Sequence, residues 1–143
     1  MAGFPDLSPW AYLPNLPEHI LAVGWLDRLM EFPRGATSPE VFERLQWLAR
    51  DPWQPIAFAG SHECELCQFH GEKGTANLYL PHQGKIYVCP ELIIHYINAH
   101  YYSPPSIFYE AVLACPAMNT IEYKRSLIAC QGQVLWKSSV NTI

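Results

Sequence analysis

The sequence predicts a mostly helical α+β fold, in which a β-hairpin and one helix are embedded among N-terminal and C-terminal helices. Three observations favour this class. Apolar residues recur at helical spacing in several windows. Two short runs of branched and aromatic residues flank a turn that contains Gly84. Prolines stand at the borders of the helical windows, where a missing N–H group is tolerated.

The first half of the chain is expected to hold two helices. A helix over about 18–31 would place Leu21, Trp25 and Leu29 on one face. A second helix should begin near Thr37 and Glu40, which match the capping-box pattern T-x-x-E. Its apolar face contains the following residues: Val41, Leu45 and Leu48.

The second half is expected to form a hairpin and three further helices. The elements are, in order, an extended segment at 53–60, strands near 76–80 and 85–89, helices at about 90–101, 105–114 and 118–130, and a strand at 133–136. We find neither an internal repeat nor a boundary between domains, so residues 1–143 are predicted to form one domain.

Composition limits the class of protein. Hydrophobic residues make up 50% of the chain and aromatic residues 13%, which indicates a packed core. The net charge of −4 argues against a general nucleic-acid binder, which usually carries a basic patch. The N-terminus lacks the features of a signal peptide, and no apolar run approaches the ~20 residues that span a bilayer. We therefore expect a cytoplasmic protein that does not contact membranes.

The five cysteines have different expected roles. An odd number in a cytoplasmic protein argues against a disulfide framework. Cys115 and Cys130 lie among apolar residues and are expected to be buried small side chains. Only Cys64 and Cys67 have the C-x2-C spacing of metal ligands, because two thiols on one tight turn can reach the same ion.

Two histidines complete a possible metal site. His95 and His100 form an H-x4-H pair on the helix predicted after the hairpin. They are five residues apart, about 140° around a straight helix, so His100 must lie where the helix ends. The sequence Ser103-Pro104-Pro105 predicts such an end. We therefore predict that Cys64, Cys67, His95 and His100 bind Zn²⁺ through thiolates and neutral imidazoles.

The C-x2-C segment from Cys64 to Cys67, here called the knuckle, is followed by the hairpin and the helix, and this order resembles known zinc modules. Residues 64–100 are similar to a C2H2-type or treble-clef zinc finger, and the finger-like core would span 60–103. Four segments also resemble a family of small uncharacterised bacterial proteins: 24–26, 60–67, 90–96 and 100–105. The first resemblance implies a structural or interaction module. The second implies a bacterial, cytosolic protein and no particular activity.

Other ligand sets remain open. Cys89 ends a strand just before the helix, where treble-clef fingers place a ligand. His62 and His70 flank the knuckle and could each replace one ligand. His82 lies in the hairpin turn and is expected to be solvated.

Three functions compete. A non-enzymatic, zinc-stabilised domain that binds a protein partner is favoured, because four protein ligands leave no open position on the metal. DNA reading is disfavoured, since the finger helix has Asn98 but neither Arg nor Lys. The alternative is a metal-dependent nuclease or hydrolase of the ββα-metal type, with His82 as general base. Thiol redox chemistry at C-x-x-C is the weakest reading, because no βαβ pattern surrounds the pair. Enzymatic activity is thus left open but disfavoured.

Overall fold

Within the residues that the structure describes, the architecture consists of two small sheets and five helices. The structure is a computed structural model, and it describes residues 3–12, 15–55, 62–68 and 71–136. The strands are β1 Ile20–Ala22, β2 His62–Glu63, β3 Lys73–Gly74, β4 Asn77–His82 and β5 Lys85–Pro90. The helices are α1 Pro39–Leu48, α2 Ile93–His100, α3 Ser106–Ala114, α4 Ile121–Ala129 and a final turn α5 at 133–136.

The prediction of a mostly helical fold is wrong. Of the described residues, 32% are helical and 19% are extended. A three-stranded sheet in the order β1-β5-β4 lies at the centre, and β2 and β3 form a second, two-stranded sheet. The balance differs from the expectation because one predicted helix is a strand and because the loop after the knuckle forms the second sheet.

The central hairpin agrees closely with its prediction. β4 and β5 pair antiparallel, with His82 opposite Lys85, so the connecting turn is only Gln83-Gly84. Both turn residues have positive φ, 49° at Gln83 and 80° at Gly84. This is the conformation of a two-residue turn that matches the right-handed twist of the strands. Glycine adopts it without steric cost.

The helix predicted over 18–31 is instead strand β1 followed by turns. Ile20 and Ala22 are fully buried and pair in parallel register with β5, so burial follows the two-residue period of a strand. Gly24 has a φ of 76°, which ends the regular backbone. Leu29, which the helical pattern placed on the core face, is 91% exposed. The apparent helical stripe was therefore coincidental.

The outer edge of β4 is closed by side chains. The amide of Gln54 accepts a hydrogen bond from the Asn77 N–H and donates one to the Asn77 carbonyl, as a neighbouring strand would. The Tyr123 hydroxyl donates to the carbonyl of Tyr79. Pro81, the next residue on this edge, has no N–H to offer. These contacts protect the edge against pairing with another chain.

The helices enclose the sheet. α3 and α4 pack on β4, and α1 packs on both α3 and α2. Helix α1 begins near its predicted position, but Ser38 precedes it and makes no capping bond through its side chain. The expected capping box is absent because Ser38, not Thr37, is the N-cap residue; the Thr37 hydroxyl accepts a hydrogen bond from Tyr109.

Helices α2, α3 and α4 lie within the windows predicted for them. The predicted terminal strand at 133–136 is helical, with the Leu135 N–H donating to the Gly132 carbonyl. Of the extended segment expected at 53–60, residues 56–60 lie outside the described part. None of the described helices has the length and apolar character that crossing a bilayer requires.

Candidate metal centre

The C-x2-C knuckle, Cys64 to Cys67, follows strand β2 and precedes strand β3 in the sequence. The pairing of these two strands holds the knuckle in place. His62 pairs with Gly74 and Glu63 with Lys73. The Cys64 N–H donates to the Glu72 carbonyl at 2.8 Å, which ties the start of the knuckle to the returning chain. The knuckle is therefore part of a hydrogen-bonded unit.

Helix α2 supplies the two imidazoles. His95 lies in its first turn and His100 is its last residue, followed by Tyr101 in the left-handed conformation with φ 58°. The Tyr102 N–H then donates to the Tyr96 carbonyl at 3.1 Å, which closes the helix end. The His95 and His100 ring centroids are 5.0 Å apart. The expected position of His100 at a helix end explains how two histidines five residues apart face one point.

The four predicted residues come together. One ligand atom from each of Cys64, Cys67, His95 and His100 lies within 4.8 Å of the other three. Cys67 Sγ is 3.2 Å from His95 Nε2 and 3.5 Å from His100 Nε2, and Cys64 Sγ is 3.4 Å from His100 Nε2. Tetrahedral zinc, with bonds of about 2.3 Å to sulfur and about 2.0 Å to nitrogen, separates S and N by about 3.5 Å. The side chains fit such an ion with only small adjustments.

The surroundings of Cys64 act on its thiol in two directions. Burial, the largest effect, raises the pKa of Cys64, and the neighbouring Cys67 thiol also raises it. Hydrogen bonds from the backbone N–H groups of Leu66 and Cys67 lower the pKa of Cys64, because they stabilise the thiolate. Two peptide donors aimed at one sulfur are well suited to a metal-bound thiolate.

The pKa of His100 lies below its ordinary value. Burial has the largest effect, followed by the charges of His95 and Arg34. The imidazole of His100 is therefore neutral at physiological pH, which is the form that binds a metal.

The alternative ligands lie elsewhere. Cys89 is fully buried in the core, where burial raises the pKa of its thiol, and it does not join the cluster. His62 packs edge-on against the rings of Tyr12 and Trp25, and burial lowers the pKa of its imidazole. His70 lies outside the described residues.

The remaining cysteines and His82 also have definite positions. Cys115 and Cys130 are 1% and 6% exposed, as predicted for buried small side chains. The prediction that His82 is solvated is wrong, since its side chain is only 13% exposed. Its Nε2 atom faces the α3 residue Glu110 at 4.0 Å and does not belong to the cysteine–histidine cluster.

Sequence reasoning missed three residues that support the cluster. A Cβ atom on Gly71 would stand 2.2 Å from the Cys64 carbonyl oxygen, so only glycine allows the loop to approach the knuckle. Glu91 accepts hydrogen bonds from the N–H groups of Thr75 and Ala76, which ties α2 to the end of the small sheet. Tyr96 follows His95 on α2 and is fully buried, and its pKa is raised by burial first and then by Cys64, Glu65 and Cys67. Of these features, only Gly71, seven residues after Cys64, could have been noticed in the sequence as a sign of a close approach to the knuckle.

A groove runs beside the cluster between α1 and α2. It has a cavity of about 500 Å³ next to His95 and a second of about 290 Å³ next to Tyr101, and both are lined by Phe42 and Asn98. Tyr101 is 57% exposed at the far end. The larger cavity is lined mainly by polar and charged side chains, among them Glu72, Lys73 and Glu91, whereas the smaller cavity near Tyr101 is mostly apolar.

Comparison with known proteins places the chain in a family. Residues 2–113 match the model of a family described as Domain of unknown function (DUF7919). The chain belongs to this family. The DUF7919 match includes all four residues of the cluster and ends within α3, so α4 and α5 follow the matched region. Comparisons with curated proteins and with solved structures found no match.

Proposed function

We propose that this DUF7919 protein is stabilised by one structural Zn²⁺ ion bound to Cys64, Cys67, His95 and His100, and that it acts by binding a protein partner. The observation that carries the proposal is the convergence of two thiols and two imidazoles at distances suited to one tetrahedral ion. Two sulfurs and two nitrogens in this geometry favour zinc over the hard cations, which prefer oxygen ligands.

The ligand set argues for a structural role. Four protein ligands fill a tetrahedral ion and leave no position for a substrate or an activated water. The cluster also connects two elements, the knuckle and α2, that are far apart in the sequence. The nuclease alternative required His82 near the metal, and that residue faces Glu110 instead. The ligand set and the position of His82 therefore favour a structural role over catalysis.

A protein partner is supported by the groove between α1 and α2. Its apolar end at the exposed Tyr101 and its polar end at Glu72, Lys73 and Glu91 offer the mixture of aromatic and polar contacts that protein interfaces use. The acidic net charge and a helix α2 without Arg or Lys do not suit nucleic acid. We further propose a zinc-finger-like module in the cytoplasm of a bacterium, where thiols stay reduced.

Elemental analysis of the purified protein tests the metal site. We expect about one zinc ion per chain. Replacement by Co²⁺ should give the intense visible absorption of a tetrahedral site, together with thiolate-to-cobalt charge transfer in the near ultraviolet. The absence of stoichiometric metal after purification in zinc-containing buffer would refute the site.

The partner is tested by capture from the native cell extract with three immobilised proteins. The wild type and the Arg125→Glu variant, which changes an exposed residue on α4, should retain the same protein. The Tyr101→Glu variant should lose it, because a charge then stands at the end of the groove. Equal retention by all three would rule out the groove as the binding surface.

A further inference from the structure

A separate cavity of about 360 Å³ lies between Trp53 and the C-terminal helices α4 and α5. It shares no lining residue with the groove between α1 and α2 and none with the cysteine–histidine cluster. Its volume falls in the range of about 300–1,000 Å³ that small-molecule sites occupy. The residues that line it are Trp53, Asn119, Thr120, Lys124, Leu127 and Trp136. All except Trp53 follow residues 2–113, so the cavity forms where the C-terminal helices meet the part of the chain that matches DUF7919.

Two indole rings line the cavity at nearly a right angle. The ring centroids of Trp53 and Trp136 are 5.8 Å apart, and the planes of the rings are inclined by 83°. Trp53 is held in turn by edge contacts with the fully buried rings of Tyr79 and Tyr123, at centroid distances of 5.6 and 6.0 Å. Leu127 adds an apolar wall and is 1% exposed. A planar ring that stacks on one indole would meet the other edge-on, which is a favourable arrangement of aromatic rings.

The two uncharged polar side chains in the lining already form hydrogen bonds within the protein. The Thr120 hydroxyl donates to the Ala117 carbonyl at 2.6 Å and accepts from the Tyr123 N–H at 3.2 Å. The Asn119 amide donates to the backbone carbonyl of Asp51 at 3.0 Å and to its carboxylate at 3.3 Å. The positions of these side chains are therefore set by the fold, as in a pre-formed site.

Lys124 is the charged residue of the lining, and its side chain is exposed. Within the described part of the chain it takes part in no ion pair, so its ammonium group is free to meet a ligand. One ammonium group balances one negative charge, and a phosphate dianion calls for more donors than this lining provides. The charge of the lining therefore suits a monoanion.

We propose that this cavity binds a small aromatic carboxylate, whose ring contacts the indoles of Trp53 and Trp136 and whose carboxylate pairs with the ammonium of Lys124. The apolar walls and the two perpendicular rings select a planar apolar body, and the single cation selects one acidic group. This binding site is independent of the proposed zinc site and of the groove, so it can stand or fall without them.

Naphthalene-2-carboxylate is the probe, and the neutral naphthalene-2-carboxamide is its matched control. Each is titrated into the full chain while NMR follows the N–H signals of the five tryptophan indoles. Trp53→Phe and Trp136→Phe assign the two signals from the cavity. Trp47 is an internal control, because it is 41% exposed on α1 and does not line the cavity.

We expect the carboxylate to shift the Trp53 and Trp136 signals in a saturable manner, with a dissociation constant of about 1 mM or below, as is typical of a ligand of this size. The Trp47 signal should not move. Lys124→Gln should weaken binding of the carboxylate about three- to fivefold, the effect of one exposed ion pair, and leave binding of the carboxamide unchanged. Arg125→Gln, which removes a neighbouring exposed charge outside the lining, should change neither.

Two results would overturn the proposal. Absence of a saturable shift at Trp53 and Trp136 up to about 10 mM carboxylate, roughly ten times the expected dissociation constant, would show that the cavity does not bind this class of ligand. Equal affinity of the wild type and Lys124→Gln for the carboxylate would show that Lys124 does not recognise the acidic group.

Discussion

Cys64 differs from Cys115 in what its sulfur contacts. It is 3% exposed, it lies 3.4 Å from a histidine nitrogen, and two peptide N–H groups point at it. Cys115 is equally buried, but its thiol donates to the Pro116 carbonyl in the same turn. Burial alone therefore does not identify a cysteine as a metal ligand. The contacts of its sulfur atom do.

Replacing Cys64 or Cys67 by serine is predicted to remove the metal and destabilise the protein. A neutral hydroxyl does not replace a thiolate on zinc, and the binding free energy of a structural zinc ion contributes directly to folding. We expect less than 0.1 zinc per chain and a melting temperature lower by about 10 °C or more, which corresponds to a loss of several kcal/mol. Elemental analysis and thermal unfolding measure both.

Cys115→Ser is the control for these variants. It makes the same chemical change at a buried cysteine outside the cluster, and serine can keep the hydrogen bond to Pro116. This variant should retain a full complement of zinc. A Cys64→Ser protein that melts at the wild-type temperature would contradict the structural role of the site.

Asp6 fixes the N-terminal segment to the core through a partly buried carboxylate. Its oxygens accept hydrogen bonds from the Gly24 N–H and the Tyr102 hydroxyl. Burial raises the pKa of Asp6 above its ordinary value of 3.8, and this outweighs the lowering effect of both hydrogen bonds. The folded protein therefore takes up this proton at a higher pH than the unfolded chain does.

Asp6→Asn is predicted to change how stability depends on pH. With a raised pKa in the folded state, Asp6 contributes stability below its unfolded pKa, and this contribution is lost as pH rises through the folded pKa. The asparagine is neutral at every pH. The melting temperature of the wild type minus that of Asp6→Asn should therefore increase as pH falls from 7 to 4.5. A difference that stays constant or decreases would show that the folded-state pKa is not raised.

The loop between β2 and β3 approaches the knuckle at Gly71. Gly71→Ala is predicted to weaken both metal binding and stability, because the new Cβ would overlap the Cys64 carbonyl oxygen. The backbone must shift to relieve the overlap, at a cost of about 1–3 kcal/mol. Urea unfolding of the zinc-loaded protein gives this free energy.

Gly35→Ala serves as the comparison. A Cβ there would meet Ser103 at 3.6 Å, an ordinary contact, and the residue does not have positive φ. We expect its stability to lie within about 0.5 kcal/mol of the wild type. Equal effects of the two substitutions would indicate that the loop at Gly71 tolerates a side chain.

At the element scale, local signals predicted some structures and long-range pairing decided others. The hairpin and α1 depend on turn chemistry and periodicity within a few residues, and both were found. Strand β1 depends on pairing with β5, more than sixty residues later, and a chance stripe of Leu21, Trp25 and Leu29 suggested a helix instead. The four cluster residues were predictable because zinc ligands have characteristic spacings. Gly71, Glu91 and Tyr96 were not, since their roles exist only once the chain has folded.

In the whole molecule, the cysteine–histidine cluster brings the knuckle of the small sheet together with helix α2. The knuckle belongs to a sheet of two short strands, which has little stability of its own. Helix α2 has only eight residues and packs on α1, which in turn packs on α3. A metal ion bound to both would connect the small sheet to the helical layer.

The decisive measurement is the melting temperature of the purified protein before and after removal of zinc with a strong chelator, followed by zinc re-addition. We predict that removal lowers the melting temperature by about 10 °C or more, or abolishes cooperative unfolding, and that zinc restores the original transition. An unchanged melting temperature in protein shown to be free of metal would contradict the account, because the fold would then not depend on the site.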